Sequence, residues 1–108
     1  MIYAGNYGDA AGITARMIRP SYGHVFVNAY GASGYYYSHL YIFVSSNGQD
    51  WTPLNGGNPI TINYWDGRQD FYCGYSSSNF NYVAFAGYDD NGFSVNLYLD
   101  HVFVYHDL

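Results

Sequence analysis

Apolar residues alternate with larger polar or aromatic ones at every second position along much of this 108-residue chain. Between His24 and Tyr30, one side carries Val25, Val27 and Ala29, and the other carries aromatic and amide side chains. Successive side chains of a β-strand point to opposite faces, so a period of two predicts half-buried strands. The period of 3.6 that an amphipathic helix would show is not the pattern here.

Turn signals separate these alternating segments. Asn47-Gly48 lies between two extended arms and is the strongest short-range signal of a β-hairpin. Further breaks are predicted at Pro20 and over residues 55–59, 66–67, 76–79 and 89–92. This spacing predicts an all-β fold of about eight strands, arranged as an antiparallel β-sandwich of jelly-roll type. No linker or internal repeat divides the chain, so we expect one domain over residues 1–108.

The composition excludes several classes of protein. Apolar residues make up 49% of the chain and charged residues 10%, which is the reverse of a disordered composition. The chain has no Lys and no Glu, and its three bases face eight acids, for a net charge of -5. A helical bundle and a nucleic-acid-binding protein are therefore not expected. No apolar run has the length of about 18 residues that a membrane span needs.

The compartment is predicted from the surface chemistry. Met1-Ile2-Tyr3 does not begin a signal peptide, which leaves an intracellular protein or a module of a longer secreted chain. A surface of Tyr, Asn, Ser and Gly favours the extracellular or cell-surface alternative. Cys73 is the single cysteine, so it has no partner for an internal disulfide, and we expect it to be a small buried apolar residue.

Three segments resemble parts of known domains. The run 40–54, in which a strand leads into Ser45-Ser46-Asn47-Gly48-Gln49-Asp50-Trp51, resembles the hairpin of discoidin-type domains. The run 96–105 resembles the last strand of jelly-roll carbohydrate-binding modules, and 81–88 is similar to a preceding strand of those families. The resemblance implies a β-sandwich whose last strand lies beside the first, a structural role for Trp51 in the core, and a non-catalytic function in surface recognition.

The acidic residues favour turns over catalysis. Asp50, Asp66, Asp89 and Asp90 each lie close to a glycine, where Asp side chains cap the backbone, so we do not expect an enzyme. No cofactor is expected. A structural Ca²⁺ ion is an open alternative to a plain turn at 89–92, with Asp89, Asp90 and Asp100 as its ligands, because carboxylate and amide oxygens suit calcium.

The aromatic content carries the functional prediction. The chain has 15 Tyr, 7 Phe and 2 Trp, more than a core of this size can hold. The run 35–37 is three tyrosines, of which at least one must face outward in a strand. Exposed Tyr and Trp offer a flat apolar face and a polar edge, which suit sugar rings or a protein partner. The predicted ligand-binding cluster lies on loops: Tyr64, Trp65, Tyr88, Asp89, Asp90 and Asn91.

These features predict a non-catalytic extracellular recognition module that binds glycans through exposed Tyr and Trp. The alternative is a structural building block of a cell-surface protein, such as a spacer or a filament or surface-layer subunit. Lys commonly guards exposed strand edges against association, and this chain has none. The expected partner is therefore a glycan or a cell-surface protein, with self-association as the alternative, and neither nucleic acid nor membrane insertion is expected.

Overall fold

The structure, a computed structural model, describes residues 2–4, 10–31, 37–63, 65, 67–88 and 95–107. Side chains are described for 12–31, 38–63, 65, 67–87 and 97–107. The described ranges contain seven strands: β1 (Ile2–Ala4), β2 (Ala10–Gly31), β3 (Tyr37–Ser45), β4 (Thr52–Pro53), β5 (Ile60–Asn63), β6 (Gln69–Tyr88) and β7 (Val95–Tyr105).

The strand pairings that the structure describes are antiparallel, which confirms the predicted all-β antiparallel class. A short 3-10 turn over Asn55–Gly57 follows β4. Within the described ranges, no helix has the length and apolar character needed to cross a lipid bilayer.

The strands form one sheet in the order β1-β7-β2-β6-β3-β4, and β5 also pairs with β3. β2 and β6 are long enough to pair with other strands at both ends of this sheet. Residues 10–16 of β2 pair with 82–88 of β6, and β3 lies on the other side of that part of β6. Residues 24–29 of β2 pair with 69–75 of β6, while β7 lies on the opposite side of β2. β7 also pairs with β1, as the family resemblance implied.

Two predicted breaks are wrong. Pro20 does not end a strand, and residues 76–79 are not a loop, because both lie inside β2 and β6. The ladder between these strands changes register between Arg16 and Ser21, and again between Ser21 and Gly23. Proline, which has no N–H to donate, is tolerated where a bulge interrupts the ladder. Two bent long strands therefore replace four predicted short ones, and seven strands replace about eight.

The predicted hairpin is confirmed between β3 and β4. Residues 46–51 form its loop, and Val44 pairs with Thr52 across it. The Asn47 side chain organises the loop, since its Oδ1 atom accepts hydrogen bonds from the backbone N–H groups of Gln49 and Asp50, each at 2.8 Å. A side-chain acceptor of this kind replaces the backbone bonds that a loop lacks.

One core joins residues from both ends of the sheet. Its buried members come from five strands and from the segment that follows β4: Val25, Val27, Ala29, Leu40, Ile42, Val44, Leu54, Ile62, Cys73, Phe80, Val83, Phe85 and Leu97. Cys73 is fully buried, as predicted, and burial raises the pKa of its thiol to about 12. Trp51 is only half-buried, so its predicted place in the core is wrong. It lies at the end of the hairpin loop and flanks a surface cavity with Phe43.

Candidate functional site

The predicted loop site falls largely outside the described residues. Four of its members lie outside them: Tyr64, Asp89, Asp90 and Asn91. Tyr88 is described as the last residue of β6, without its side chain. Trp65 is 60% exposed, which confirms the prediction of an exposed ring. Its role in binding, and the site as a whole, stay predictions. The tyrosines at 35 and 36 also lie outside the described residues.

The calcium hypothesis also stays a prediction, because two of its three ligands lie outside the described residues. The third, Asp100, is exposed on β7, and its Oδ2 atom lies 2.8 Å from His101 Nδ1 and 3.2 Å from Arg68 Nη1. The hydrogen bond from His101, together with the charge of Arg68, holds the pKa of Asp100 below its ordinary value. Among the side chains described, no three His, Cys, Asp or Glu residues come together to hold a metal.

A concentration of aromatic side chains lies instead on the sheet, where β2 runs between β6 and β7. Val25, Val27 and Ala29 of β2 point into the core, so the alternate residues point outward. We call the resulting surface the aromatic face. It comprises His24, Phe26, Asn28, Tyr30, Arg68, Asp70, Tyr72, Tyr75, Tyr98, Asp100, His101, Phe103 and Tyr105.

The strand register arranges the aromatic face in rows across three strands. The rows are, in order, Tyr75–His24–Tyr105, Tyr72–Phe26–Phe103, Asp70–Asn28–His101 and Tyr30–Tyr98. Alternate residues of a strand are about 6.6 Å apart, so the four rows extend over about 20 Å. A row of hydrogen-bonding side chains therefore lies between aromatic rows.

The rings of the first two rows support one another. Phe26 and Phe103 stack with their centroids 5.3 Å apart and their planes 4° from parallel. Tyr72 and Tyr105 meet Phe26 edge-on, at 5.2 and 5.7 Å. Tyr72 is nevertheless 45% exposed. The central phenylalanines thus hold the outer tyrosines in place while leaving them accessible.

His24 adds a polar restraint to this packing. Its Nδ1 atom lies 2.7 Å from the hydroxyl oxygen of Tyr72, and its ring is 4.9 Å from that of Tyr75. Beyond this end of the face, Tyr22 stacks on His106 with centroids 4.4 Å apart. The orientation of Tyr72 is therefore set by a hydrogen bond as well as by ring contacts.

The polar row is linked by hydrogen bonds that centre on Asn28. Its Nδ2 atom donates to Asp70 Oδ1 at 2.8 Å, and its Oδ1 atom accepts from Arg68 Nη1 at 3.0 Å. The Arg68 guanidinium carbon also lies 4.7 Å from the ring centroid of Tyr30. Tyr30 also stacks on Tyr98, with centroids 4.8 Å apart. The polar row and the last aromatic row are thus one connected unit.

A groove of about 430 Å³ lies between β2 and β7 and borders the polar row, since Asp100 and His101 are among its lining residues. Its walls include the aliphatic residues Ile13, Met17, Leu99 and Val102, and Arg16 and Arg19 also line it. Such a lining offers no array of aromatic rings. The aromatic face is therefore the better candidate for a functional surface.

No protein-family model matches the sequence, and no curated protein matches it. A search of solved structures finds a pectin-binding carbohydrate-binding module with a TM-score of 0.59. The match covers 89% of this chain and 70% of that one, at 11% sequence identity. The fold is similar to that of a carbohydrate-binding module.

At 11% identity, the similarity to this carbohydrate-binding module concerns the fold alone. It agrees with the family resemblance drawn from the last strand, which pairs with β1 and β2. The resemblance to jelly-roll carbohydrate-binding modules is thus supported at the level of an all-β, antiparallel fold.

Sequence reasoning placed the site on loops and missed several residues of the aromatic face, notably His24, Phe26, Phe103 and Tyr105. A signal for them was present, since these residues alternate with valines in the segments 24–30 and 102–105. That alternation shows which side chains share a face of one strand. It does not show that β6 and β7 flank β2.

Proposed function

We propose that this protein is a non-catalytic module of jelly-roll type that binds glycans on its aromatic face. The observation that carries the proposal is the placement of the Asp70–Asn28–His101 row between rows of aromatic rings. Sugar rings have apolar C–H faces and hydroxyl edges, so a surface that alternates rings with amide and carboxylate groups matches both. The similarity in fold to a carbohydrate-binding module supports the proposal.

In this proposal the tyrosines supply stacking and the polar row supplies orientation. Tyr72 and Tyr105 flank the stacked pair of Phe26 and Phe103. A sugar ring would stack on these two tyrosines. Asn28 and the carboxylates beside it would bond the hydroxyl groups. Because ring contacts and hydrogen bonds already fix these side chains, little conformational entropy would be lost on binding.

The charges of the aromatic face favour a neutral glycan. Asp70 and Asp100 lie beside one base, Arg68, whose guanidinium already contacts Asp100, Asn28 and Tyr30. The chain as a whole carries a net charge of -5. A chain of acidic sugars would meet repulsion from this surface, whereas a neutral chain would not. We therefore propose a neutral polysaccharide as the ligand class.

The carboxylates give no support to a catalytic alternative. A glycosidase needs a carboxylic acid with a raised pKa that can protonate the leaving group. Asp100 shows the opposite shift, because its neighbours His101 and Arg68 hold its pKa low. This direction of the pKa shift supports a role for Asp100 in binding rather than as the acid of a glycosidase.

A glycan-array screen of the monodisperse protein, with and without Ca²⁺, tests the proposal. Light scattering beforehand fixes the association state. We expect selective binding to one class of neutral glycan, lost in a Tyr72→Ala/Tyr105→Ala double variant that keeps the wild-type circular dichroism spectrum. An array without any bound glycan would overturn the proposal.

The structural building block remains the second proposal, because the aromatic face could also meet a second copy of the chain. Strand-edge association is less favoured on the β4 side, where Pro53 offers no N–H to a neighbouring strand. Concentration-dependent dimers that the same double variant abolishes would support it. In either role we propose an extracellular or cell-surface location within a longer secreted protein, on the ground of the low charge and exposed tyrosines.

A further inference from the structure

We infer that the glycan continues beyond the aromatic face into a polar pocket beside Tyr75, which takes one further sugar ring. The inference rests on the proposed function and adds a binding subsite to it. The pocket has a volume of about 290 Å³ and lies between the β3–β4 hairpin and residues 75–80 of β6. Its polar wall includes Ser46, Asp50, Thr52, Ser77 and Asn79.

Tyr75 joins the pocket to the aromatic face. Its ring is 51% exposed, lies 4.9 Å from that of His24 in the first row, and also lines the pocket. A sugar stacked on this end of the face would therefore lie next to the pocket opening. The two sites form one continuous surface rather than two separate ones.

The chemistry of the pocket suits sugar hydroxyl groups. Ser46, Thr52 and Ser77 are exposed hydroxyl side chains, and Asn79 adds an exposed amide. Asp50 supplies a carboxylate whose Oδ2 atom accepts a hydrogen bond from Asn47 Nδ2 at 2.8 Å. Ligand pockets usually exceed about 300 Å³, so this one fits a single ring rather than an oligosaccharide.

The walls of the pocket are held in place before any ligand binds. On the hairpin side, Ser45 Oγ accepts hydrogen bonds from the backbone N–H groups at 47 and 48, and Asn81 Nδ2 donates to the carbonyl of Ser46 at 2.8 Å. On the β6 side, Ser76 Oγ donates to the carbonyl of Ser78 at 2.8 Å. A preformed site loses little entropy on binding.

Close packing also fixes the two walls against each other. A Cβ atom at Gly74 would lie 2.8 Å from the backbone nitrogen of Asn55 and 3.1 Å from Leu54 Cβ. The segment before the bend of β6 therefore lies directly against the chain that follows the hairpin. The spacing between the walls is set by backbone contact and not by flexible side chains.

Titration calorimetry with oligosaccharides of increasing length tests the subsite. The probes are neutral gluco-, galacto-, manno- and xylo-oligosaccharides of two to six sugars. We expect the affinity of the wild type to rise with length and then level off. In a Ser77→Phe variant the new ring fills the pocket. Its affinity should stop rising at a ligand one sugar shorter, and it should bind the longest ligand about 10-fold more weakly than the wild type does. Its affinity for the shortest ligand should be unchanged.

An Asp50→Asn variant provides a second measurement that does not depend on a bulky side chain. Its amide oxygen can still accept the bond from Asn47, so we expect a folded protein that binds the longest ligand about three-fold more weakly. Wild-type affinities at every length in both variants would overturn the subsite and leave the aromatic face untouched. A wild type that binds none of the probes would overturn the proposed function itself, and the subsite with it.

Discussion

The backbone at Gly23 passes so close to Tyr105 that a Cβ atom at residue 23 would lie 2.3 Å from the Tyr105 carbonyl oxygen. Gly23 also has a φ of +124°, which side-chain-bearing residues rarely adopt. The contact holds β2 against β7 at the first row of the aromatic face, beside His24. The alignment of that row therefore depends on a residue without a side chain.

Gly23→Ala should lower the free energy of unfolding by about 2–4 kcal/mol, because the new methyl group adds a backbone clash to an unfavourable φ. Urea denaturation of both proteins measures the change. Gly57→Ala is the matched control, since Gly57 has a φ of +82° and nothing within 4 Å of its Cβ position. It should cost about 1 kcal/mol. Equal costs at the two positions would contradict the role of the Tyr105 contact.

Tyr72→Ala should weaken binding of the longest bound oligosaccharide at least about 10-fold, because aromatic side chains anchor recognition sites. Tyr72→Phe keeps the ring but removes the hydroxyl that lies 2.7 Å from His24, so a smaller loss is expected. Trp65→Ala tests the loop site predicted from sequence. Binding that is lost in Trp65→Ala but kept in Tyr72→Ala would place the site on the loops and not on the aromatic face.

Neutral polysaccharides should bind more tightly than acidic ones at low ionic strength, and salt should narrow the difference by screening the charges. Affinity electrophoresis with a neutral galactan and with polygalacturonate compares the two classes. Asp70→Asn removes one carboxylate from the polar row and should improve binding of the acidic polymer relative to the neutral one. A wild type that prefers polygalacturonate would contradict the proposed ligand class.

Cys73 should resist alkylation by iodoacetamide at pH 8 until the protein unfolds, because burial raises the pKa of its thiol to about 12 and the reactive thiolate is scarce. The folded-state pKa lies above the ordinary value of 9.0, so the folded protein keeps a proton that the unfolded chain releases. This contribution to stability is complete below pH 9 and is lost as the pH rises toward 12.

The comparison with Cys73→Ala isolates this contribution, since tyrosine ionisation affects both proteins alike. Melting temperatures between pH 8 and 11 should fall more steeply in the wild type than in the variant. Parallel curves, or rapid alkylation of the native protein, would show that the thiol is accessible.

The alternation of residues along the sequence predicted the strands correctly where a strand runs without a bulge. The alternation over 24–30 and 81–88, the Asn47-Gly48 hairpin and the burial of Cys73 all follow from side-chain chemistry that acts over a few residues. The same reasoning failed at Pro20 and at residues 76–79. There the chain bends inside a strand, and a bulge has the same turn-forming residues as a loop.

The candidate site, too, was predictable from local pattern only in part. Alternation alone indicated that Phe26, Asn28 and Tyr30 share one side of a strand, opposite Val25 and Val27. It did not indicate that Phe103 stacks on Phe26 or that Asp70 bonds Asn28. These partners are more than 40 residues away along the chain, and no local propensity brings them together.

The sequence by itself determined that this chain forms antiparallel strands, that its tyrosines exceed what a core can hold, and which side chains share each strand face. Only the tertiary structure decided that β2 lies between β6 and β7, and so which rings meet. The reason is that strand order and register depend on backbone pairing between distant segments. A shift of one residue in that pairing would send the aromatic rows into the core and the valines to the surface.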